Sequence, residues 1–565
     1  MTVDEFLDEK KCYNPSARAM VKLQLHKRNA PYMQDEKDLS KQLYFHSAAA
    51  LVRLRKGGCN FPAKSTIQMW IAEYDIATGF CDIIFKKLAE KFSTLPMDER
   101  ICALKWDEMA IKSYEEYSTK FDIIEGLVDL GPLGRRHIRA KQVFVFCVDS
   151  LNAKNPWRQP LAYFLSKTGI TAQEIGQLVT ICHQKLKDAG AIVKLLTCDQ
   201  GVANQQLYRS ILKVTPERPI CELNGTEVFA SFDFPHLVKR LLSQLRQHKI
   251  LYHNGKVIAA YKDFEDTWKY DRVNGTSNLL SHISEAHLHP DGFEAMNVKR
   301  AFLMLSHTYA CAIKLAGSDK NGLQSSTWEA TVDFAETMNR VIDACNSYKL
   351  IFRNPQKRPL SPRNPEIEKL LTDFIDWSSE WSTKPDGLQR APCVKGFPLS
   401  IRAILGVYES VAKEHPGFEL AAGLCNQDSV EHLFSKLRQR GGHNPNPTAR
   451  MVRLSIRHIL STGYIYGSDR ANVQCDKALS LLNPITTEVG RAFETVDESE
   501  SVEFQEDIEE LSENSNVREA LNTIESEIEI EDVEKNSIYE LNAINYLAGY
   551  VAYKIVINIL SFSAT

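Results

Sequence analysis

IVKLLTCDQGVANQQLY, Ile192 to Tyr208, is a short run of Ile, Val and Leu that stops at Cys198-Asp199 and passes into Gln, Gly and Asn. A run of that length closed by turn residues predicts a buried strand that carries a carboxylate to the carboxyl edge of a sheet, where α/β proteins place their chemistry. Asp199 is therefore the first candidate functional residue. Upstream, ITAQEIGQLVTICHQKLKDAG sets Ile175, Leu178, Val179, Cys182 and Leu186 at helical spacing, with Gly190 as the stop. Strand follows helix, which predicts part of an α/β unit.

Working outward, ICALKWDEM from Ile101 to Met109 predicts a strand ending in Asp107-Glu108. EEYSTKFDIIEGLVDLG predicts a second, with a turn near Asp122, and KQVFVFCVDSL a third, strongly apolar one. Beyond Asp199 come a helix from about Asn204 to Leu212 and a fifth strand, EVFASFD. The order βββαβ matches the ribonuclease-H-like fold, in which the first and fourth strands lie side by side and each ends in an acidic residue. Two carboxylates at one sheet edge repel unless a cation lies between them, which predicts a divalent metal.

A third carboxylate is expected from a helix after the fifth strand, and NQDSVEHLFSKLRQRGGHNPN, Asn426 to Asn446, supplies it. Asp428 and Glu431 are three apart and share a helix face near its start, with Leu433, Phe434 and Leu437 on the buried side. GGHNPNP ends the helix. Two metal ions held by such a set activate water or a 3'-hydroxyl and stabilise the leaving oxygen of a phosphodiester. Taken singly, an Asp at a strand end also reads as a turn residue and a helical D-x-x-E as a capping face. Their joint occurrence in this fold order points to a site.

The chain has 565 residues, 44% apolar and 25% charged, an ordinary globular composition with room for about three or four domains. Thirteen cysteines form no C-x-x-C pair and no Cys/His cluster of finger spacing, which points to reduced thiols and away from a disulfide framework or zinc module. VDEFLDEKKCYN is no secretory signal, and the late apolar stretch from Ile544 to Phe562 carries Lys554 and Asn558, so no membrane span is expected. The net charge of -4 hides an asymmetry: residues 494–535 hold 17 acidic and 2 basic residues, net -15, which leaves +11 on the rest. The body is basic and suits nucleic acid; the acidic stretch is too poor in apolar residues to fold alone and reads as a disordered linker.

Near the amino terminus, residues 1–38 read as a flexible lead. KQLYFHSAAALVRLRKGG then predicts one amphipathic helix ending on Gly57-Gly58, and a second starts with Ser65-Thr66 as cap and runs through IQMWIAEYD. This is the outline of a helix-turn-helix, and also of an ordinary helical hairpin. Arg53, Arg55, Lys56 and Lys64 suit phosphate contacts.

The chain resembles the P-element-type transposases, including relatives with an N-terminal THAP domain. The resemblance is carried by CALKWDEMAIK, WRQPLAYFL, LLTCDQGVANQQLY, DFPHLVKRL, HLHPDGFEAMNVKRAF, NQDSVEHLF with RGGHNPNPT, and AINYLAGYVAYK. It implies a DNA transposase of DDE type: a ribonuclease-H-like core interrupted by a large all-α insertion that in this family binds GTP. Asp107, Asp199 and Glu431 stand at the family's three acidic positions and imply ligands for Mg2+ or Mn2+, with Asp428 a neighbour that adds a fourth. Asp149, at another strand end, is the reserve. The layout expected is a lead over 1–38, a helix-turn-helix-like domain over 39–98, the first part of the core over 99–244 and the insertion over 245–421. Core helices over 422–485, an acidic linker over 486–538 and a helical segment over 539–565 complete it.

AFLMLSHTYACAIKLAG and WEATVDFAETMNRVIDACNSYKLIF show helical periodicity in the insertion, and no G-x-x-x-x-G-K-S/T phosphate loop exists in the chain. GTP is implied by the resemblance alone, which puts Val298, Ser306, Asn339 and Asp343 at nucleotide-contacting positions. His282 and Asn297 stand where the family has phosphate-facing lysines, with Lys299 as a substitute. No Cys-x2-4-Cys is partnered with a later Cys and His near the amino terminus, so the helix-turn-helix is the expected DNA reader. The partners implied are double-stranded DNA and further copies of the chain on it, in the nucleus. The competing reading is a domesticated, inactive relative that binds DNA or protein.

Overall fold

The computed structural model describes residues 3–462, apart from residues 11, 13, 28, 73–75, 275–278, 293–296, 388–390 and 440–443, together with residues 479 and 480. Packing divides this chain into a unit built on Met1–Glu73 and a larger one built on Tyr74–Leu437.

The first unit is helical: Val3–Glu9, Pro15–Gln24, Gln34–His46, Ala48–Lys56 and Lys64–Ala72. The expected flexible lead is thus largely helix. Its apolar anchors are few, chiefly Leu7, Ala19 and Leu23, and Arg18 bridges to Asp4 at 2.8 Å and to Asp8 at 2.5 Å. The single helix expected before Gly57 is two, because Ser47 adopts an extended conformation at φ -158° and caps the next helix by accepting the Ala50 N–H at 3.0 Å. The last helix starts at Lys64 rather than on a Ser65-Thr66 cap. Leu51, Ile67, Trp70 and Ile71 form the core, with Tyr32, Leu43 and Tyr44 packed against them.

The larger unit is organised on a mixed sheet. Its central strands are β1 (Ile101–Ala110), β2 (Gln142–Ser150), β3 (Trp157–Ser166), β4 (Ile192–Cys198) and β5 (Thr226–Phe232). They lie in the order β5-β4-β1-β2-β3. β1, β4 and β5 are mutually parallel, whereas β2 and β3 run antiparallel in a meander. This is the ribonuclease-H-like order. β2 is apolar from Val143 to Val148, all at most 3% exposed, as a strand covered on both faces must be.

One strand differs from the sequence reading. Residues 115–131 form a small hairpin, Glu116–Ser118 with Ile123–Glu125, and the short strand Leu127–Asp129, broken by Asp122 at φ 52° and Gly126 at φ 96°. The place in the meander belongs to Trp157–Ser166, whose Pro160 argues against a strand in sequence. The sheet accommodates Pro160 at a bulge, where the register slips between Phe146 and Cys147.

α1 (Ala172–Asp188) forms as expected, with Thr171 and Glu174 as a reciprocal cap and Gly190 at φ 92° closing it. α2 (Phe234–His248) begins on Asp233. The insertion that follows is mainly helical but not all-α: Ile250–His253, Lys256–Ala260 and Trp381–Ser382 make a three-stranded sheet. Helix α3 (Pro392–Glu414) falls within the insertion by sequence, yet it packs on the core sheet. Ser400 hydrogen-bonds both the N–H and the carbonyl of Phe232, and Gly396 and Gly406 leave room for Leu237 and Phe229 where a Cβ would clash. α4 (Asp428–Gln439) and a helix at Ala449–Thr462 close the core. The acidic stretch and the 539–565 segment lie outside the described residues. Among the described residues no helix is long and apolar enough to cross a membrane.

Candidate active site

The site grows from the parallel junction of β1 and β4, where Lys105 pairs with Thr197. Two residues further on, Asp107 and Asp199 follow on the same side of adjacent strands, since side chains alternate with period 2. Asp107 accepts its neighbour Glu108 N–H at 2.7 Å. Burial, and then the Asp199 carboxylate, push Asp107 up to about 8; Glu431 adds to the rise and His236 opposes it. Glu108 is likewise raised, to about 7, mainly by burial. Asp199 is held by the Gly201 N–H at 3.0 Å and the Asn204 side-chain amide at 2.7 Å, and Asn204 in turn accepts the Trp106 indole N–H at 3.0 Å.

Glu431 arrives on α4, whose entry is fastened to the strands residue by residue. Lys105 Nζ donates to the Leu424 carbonyl at 2.8 Å, the Thr197 hydroxyl to the Cys425 carbonyl at 2.9 Å, and the Gln427 side chain to the Trp106 carbonyl at 2.5 Å. Gln427 N–H donates to Asp233 Oδ1 at 2.7 Å. Glu431 lies one turn into the helix, 3.4 Å from His236 Nε2. Asp428 is buried and receives the Tyr348 hydroxyl; burial, then Asp233, raise its proton affinity well above the carboxylate range. Asp149 does not join the triad. It pairs opposite Ala103, four residues or about 13 Å along the strand from the level of Asp107. There it is the buried partner of Lys105 at 2.6 Å.

α2 contributes a group that the sequence reading does not find. Asp233 accepts the His236 N–H at 3.0 Å and the His236 Nδ1–H at 2.6 Å. Burial alone would lower His236, but the Asp233 hydrogen bond and charge prevail and lift it to about 9, so it is an imidazolium bridging Asp233 and Glu431. Lys239 is lowered by burial, and Arg240 comes within 3.8 Å of Asp199. DFPH announces a helix cap, but only the fold brings its His to Glu431. Three carboxylate side chains, one pushed toward its neutral form by burial and then by the others, are a hard oxygen donor set that fits Mg2+ or Mn2+. They are not drawn tightly together: among the described residues, the trio whose ligand atoms all come within 4.8 Å is His307, Cys311 and Glu336.

Residues 76–211, 235–359 and 425–452 match three consecutive family models, described as TNP-like RNase H N-terminal domain, GTP-binding insertion domain and RNase H C-terminal domain. The chain belongs to the P-element-type transposase family. This P-element-type chain is 25% identical over 466 residues, 79% of its length, to the Transposable element P transposase of Drosophila melanogaster, of which the match spans 56%. Its fold matches a chain of the Drosophila P element transposase strand transfer complex with a TM-score of 0.64 at 23% identity, covering 81% of this chain and 98% of that one.

In the insertion of this P-element-type chain, Val298 is a buried first residue of helix Val298–Met304, and Ser306 caps helix His307–Ser318. Asn339 accepts the His307 N–H at 3.1 Å, which brings it to Ser306. Asp343 accepts from the Asn354 side chain at 2.9 Å and lies 3.8 Å from Lys357. Asn339 and Asp343 are thus each engaged by another segment rather than by one another. Lys299 and His282 are exposed; Asn297 caps helix Val298–Met304. Asn297 also lines a cleft with Lys239, Arg246, His287 and Arg300. In the first unit Arg53, Arg55, Lys56 and Lys64 are all exposed.

Proposed function

We propose that this chain is a metal-dependent DNA transposase of DDE type, cleaving and joining strands of double-stranded DNA in the nucleus, with Asp107, Asp199 and Glu431 as ligands for Mg2+ or Mn2+. The observation that carries the reading is the convergence of three carboxylates from segments far apart in sequence at the β1/β4 junction, two of them acting on Asp107. A bound divalent pair supplies charge for the attacking and leaving oxygens of the phosphodiester. The residues of the chain do the rest: Asn204 and Gly201 aim Asp199, the Gln427 and Lys105 contacts seat the Glu431 helix, and protonated His236 shares the Glu431 carboxylate. Asp428, tied to Tyr348, supports the helix start rather than the metal.

The cleft of Lys239, Arg246, His287, Asn297 and Arg300 supports an anionic ligand beside the acidic site, since Lys239 acts electrostatically on both Asp107 and Glu431. GTP phosphates fit that charge, with Val298, Ser306, Asn339 and Asp343 on the helices that follow. Exposed Arg53, Arg55, Lys56 and Lys64 suit the DNA backbone, and assembly of several copies on DNA follows from the same reading. The test is nicking and strand transfer on labelled duplex with Mg2+ or Mn2+, with and without GTP. Activity lost in Asp199→Ala supports the enzyme. Tight DNA binding without metal-dependent cleavage would favour the domesticated binding protein.

A further inference from the structure

The trio His307, Cys311 and Glu336 lies outside the acidic site, on two helices of the insertion. His307 and Cys311 are one turn apart on helix His307–Ser318, so their side chains share a face. Glu336 comes from helix Trp328–Cys345, and Asn339 one turn further along that helix accepts the His307 N–H, fixing the two helices in register. The Glu336 carboxylate accepts from His307 Nδ1 at 2.6 Å. With the proton on Nδ1, the lone pair is on Nε2, which lies 3.5 Å from Cys311 Sγ.

Zinc holds imidazole nitrogen at about 2.0–2.1 Å and thiolate at about 2.3 Å, so a tetrahedral ion separates the two donors by about 3.6 Å. A carboxylate on the other ring nitrogen is the usual device for fixing the tautomer and orientation of a metal-bound histidine. One ligand atom from each of the three residues lies within 4.8 Å of the others, and Glu336, which holds the Nδ1 side of the ring, serves the site by orienting His307 rather than by bonding the ion on Nε2. The site is open to ions: the His307 side chain is 67% exposed and that of Glu336 32%. Cys311 is the exposed cysteine among those described. The nitrogen and sulfur donors favour a borderline ion over the hard ions suited to the acidic triad. Sequence spacing does not reveal it, because the carboxylate that orients His307 comes from a second helix.

We propose that His307, Cys311 and Glu336 form a binding site for a zinc-class divalent ion, separate from the acidic site, that ties helix His307–Ser318 to helix Trp328–Cys345. Binding uses the Cys311 thiolate, so the thiol proton leaves to solvent as the sulfur–metal bond forms, and water completes the coordination. The site stands on its own donors, whether or not the chain is an active transposase.

The test titrates Co2+ as a zinc surrogate into the full-length chain, reading the thiolate-to-cobalt charge-transfer band, with Zn2+ then added to displace it. One equivalent of Co2+ with such a band is expected, displaced by Zn2+. His307→Ala and Cys311→Ser should lose the band, and Glu336→Gln should weaken binding about 10- to 100-fold. Asp199→Asn, in the acidic site, should leave the band intact. Absence of the band, or a band that survives Cys311→Ser in a protein with unchanged circular dichroism, would overturn the proposal.

Discussion

Asp107 and Asp233 are both acidic, both near His236, and opposite in their energetic sense. Asp107 is pushed up to about 8 by burial and by Asp199, so at neutral pH folding must take up a proton there or hold a charge where it is unwelcome. Asp233 is buried too, but the His236 hydrogen bond and charge prevail and hold it below the usual carboxylate range. With divalent ions removed by chelation, Asp107→Asn is therefore expected to raise unfolding stability at neutral pH by about 1–3 kcal/mol, since the raised carboxylate penalises folding above its unfolded value. Asp233→Ala is expected to lower it by about 3–5 kcal/mol, because it strands the His236 charge and leaves the Gln427 N–H unpaired. Urea unfolding of the two variants checks this, and equal signs would contradict the assignment. Asp107, Asp199 and Glu431 are legible in sequence because strand and helix ends mark them. His236 is not, because its reach to Glu431 depends on the angle at which α2 leaves the sheet.

At the scale of elements, the end of helix Trp328–Cys345 is stitched to the segment that delivers Glu431. Asn426 donates to the Cys345 carbonyl at 3.1 Å, Gly423 N–H to the Ser347 carbonyl at 2.8 Å, and the Tyr348 hydroxyl to Asp428. The insertion helix that carries Asn339 and Asp343 thus abuts the catalytic candidate helix directly. Asn426→Ala, which leaves the buried Cys345 carbonyl unpaired, is expected to cost about 1–3 kcal/mol in unfolding and to lower cleavage while leaving DNA affinity near that of the parent. Loss of affinity in step with cleavage would place the effect elsewhere. Strong periodicity makes α1 and the Asp199 strand readable. β3 escapes because Pro160 speaks against a strand unless a bulge is foreseen, and residues 115–131 mislead because their apolar residues are split between a separate small hairpin and the three-residue strand Leu127–Asp129, which meets β3 only at Asp129 and Leu165. Pro392–Glu414 is misplaced by sequence because its apolar faces do not say which surface they cover; the close approach at Gly396 and Gly406 decides it.

At the scale of the molecule, the chain is a ribonuclease-H-like core interrupted by a mainly helical insertion; the strands that lead to Asp107 and Asp199 are readable without coordinates, whereas the meander strand Trp157–Ser166 is not. The first unit is only half readable: residues 41–56 show their apolar face, whereas Val3–Glu9 and Pro15–Gln24 rest on isolated residues such as Leu7 and Leu23 and on ion pairs. Its core predicts that Ile67→Ala, fully buried, costs about 2–5 kcal/mol in unfolding of that unit. Its exposed cations predict that replacing Arg53, Arg55 and Lys56 together by Ala weakens DNA binding and flattens its salt dependence, by about 0.9 in the log-log slope for each phosphate no longer neutralised. An unchanged slope would move the DNA-binding face elsewhere.

The most direct test of the central claim is metal-dependent nicking and strand transfer on duplex DNA carrying terminal repeats of related elements, comparing the parent chain with Asp199→Ala. Cleavage that requires Mg2+ or Mn2+ and disappears in Asp199→Ala is the result predicted by the carboxylate site at the β1/β4 junction. Cleavage that persists in Asp199→Ala, or none from a folded parent chain that binds the same DNA, would contradict it.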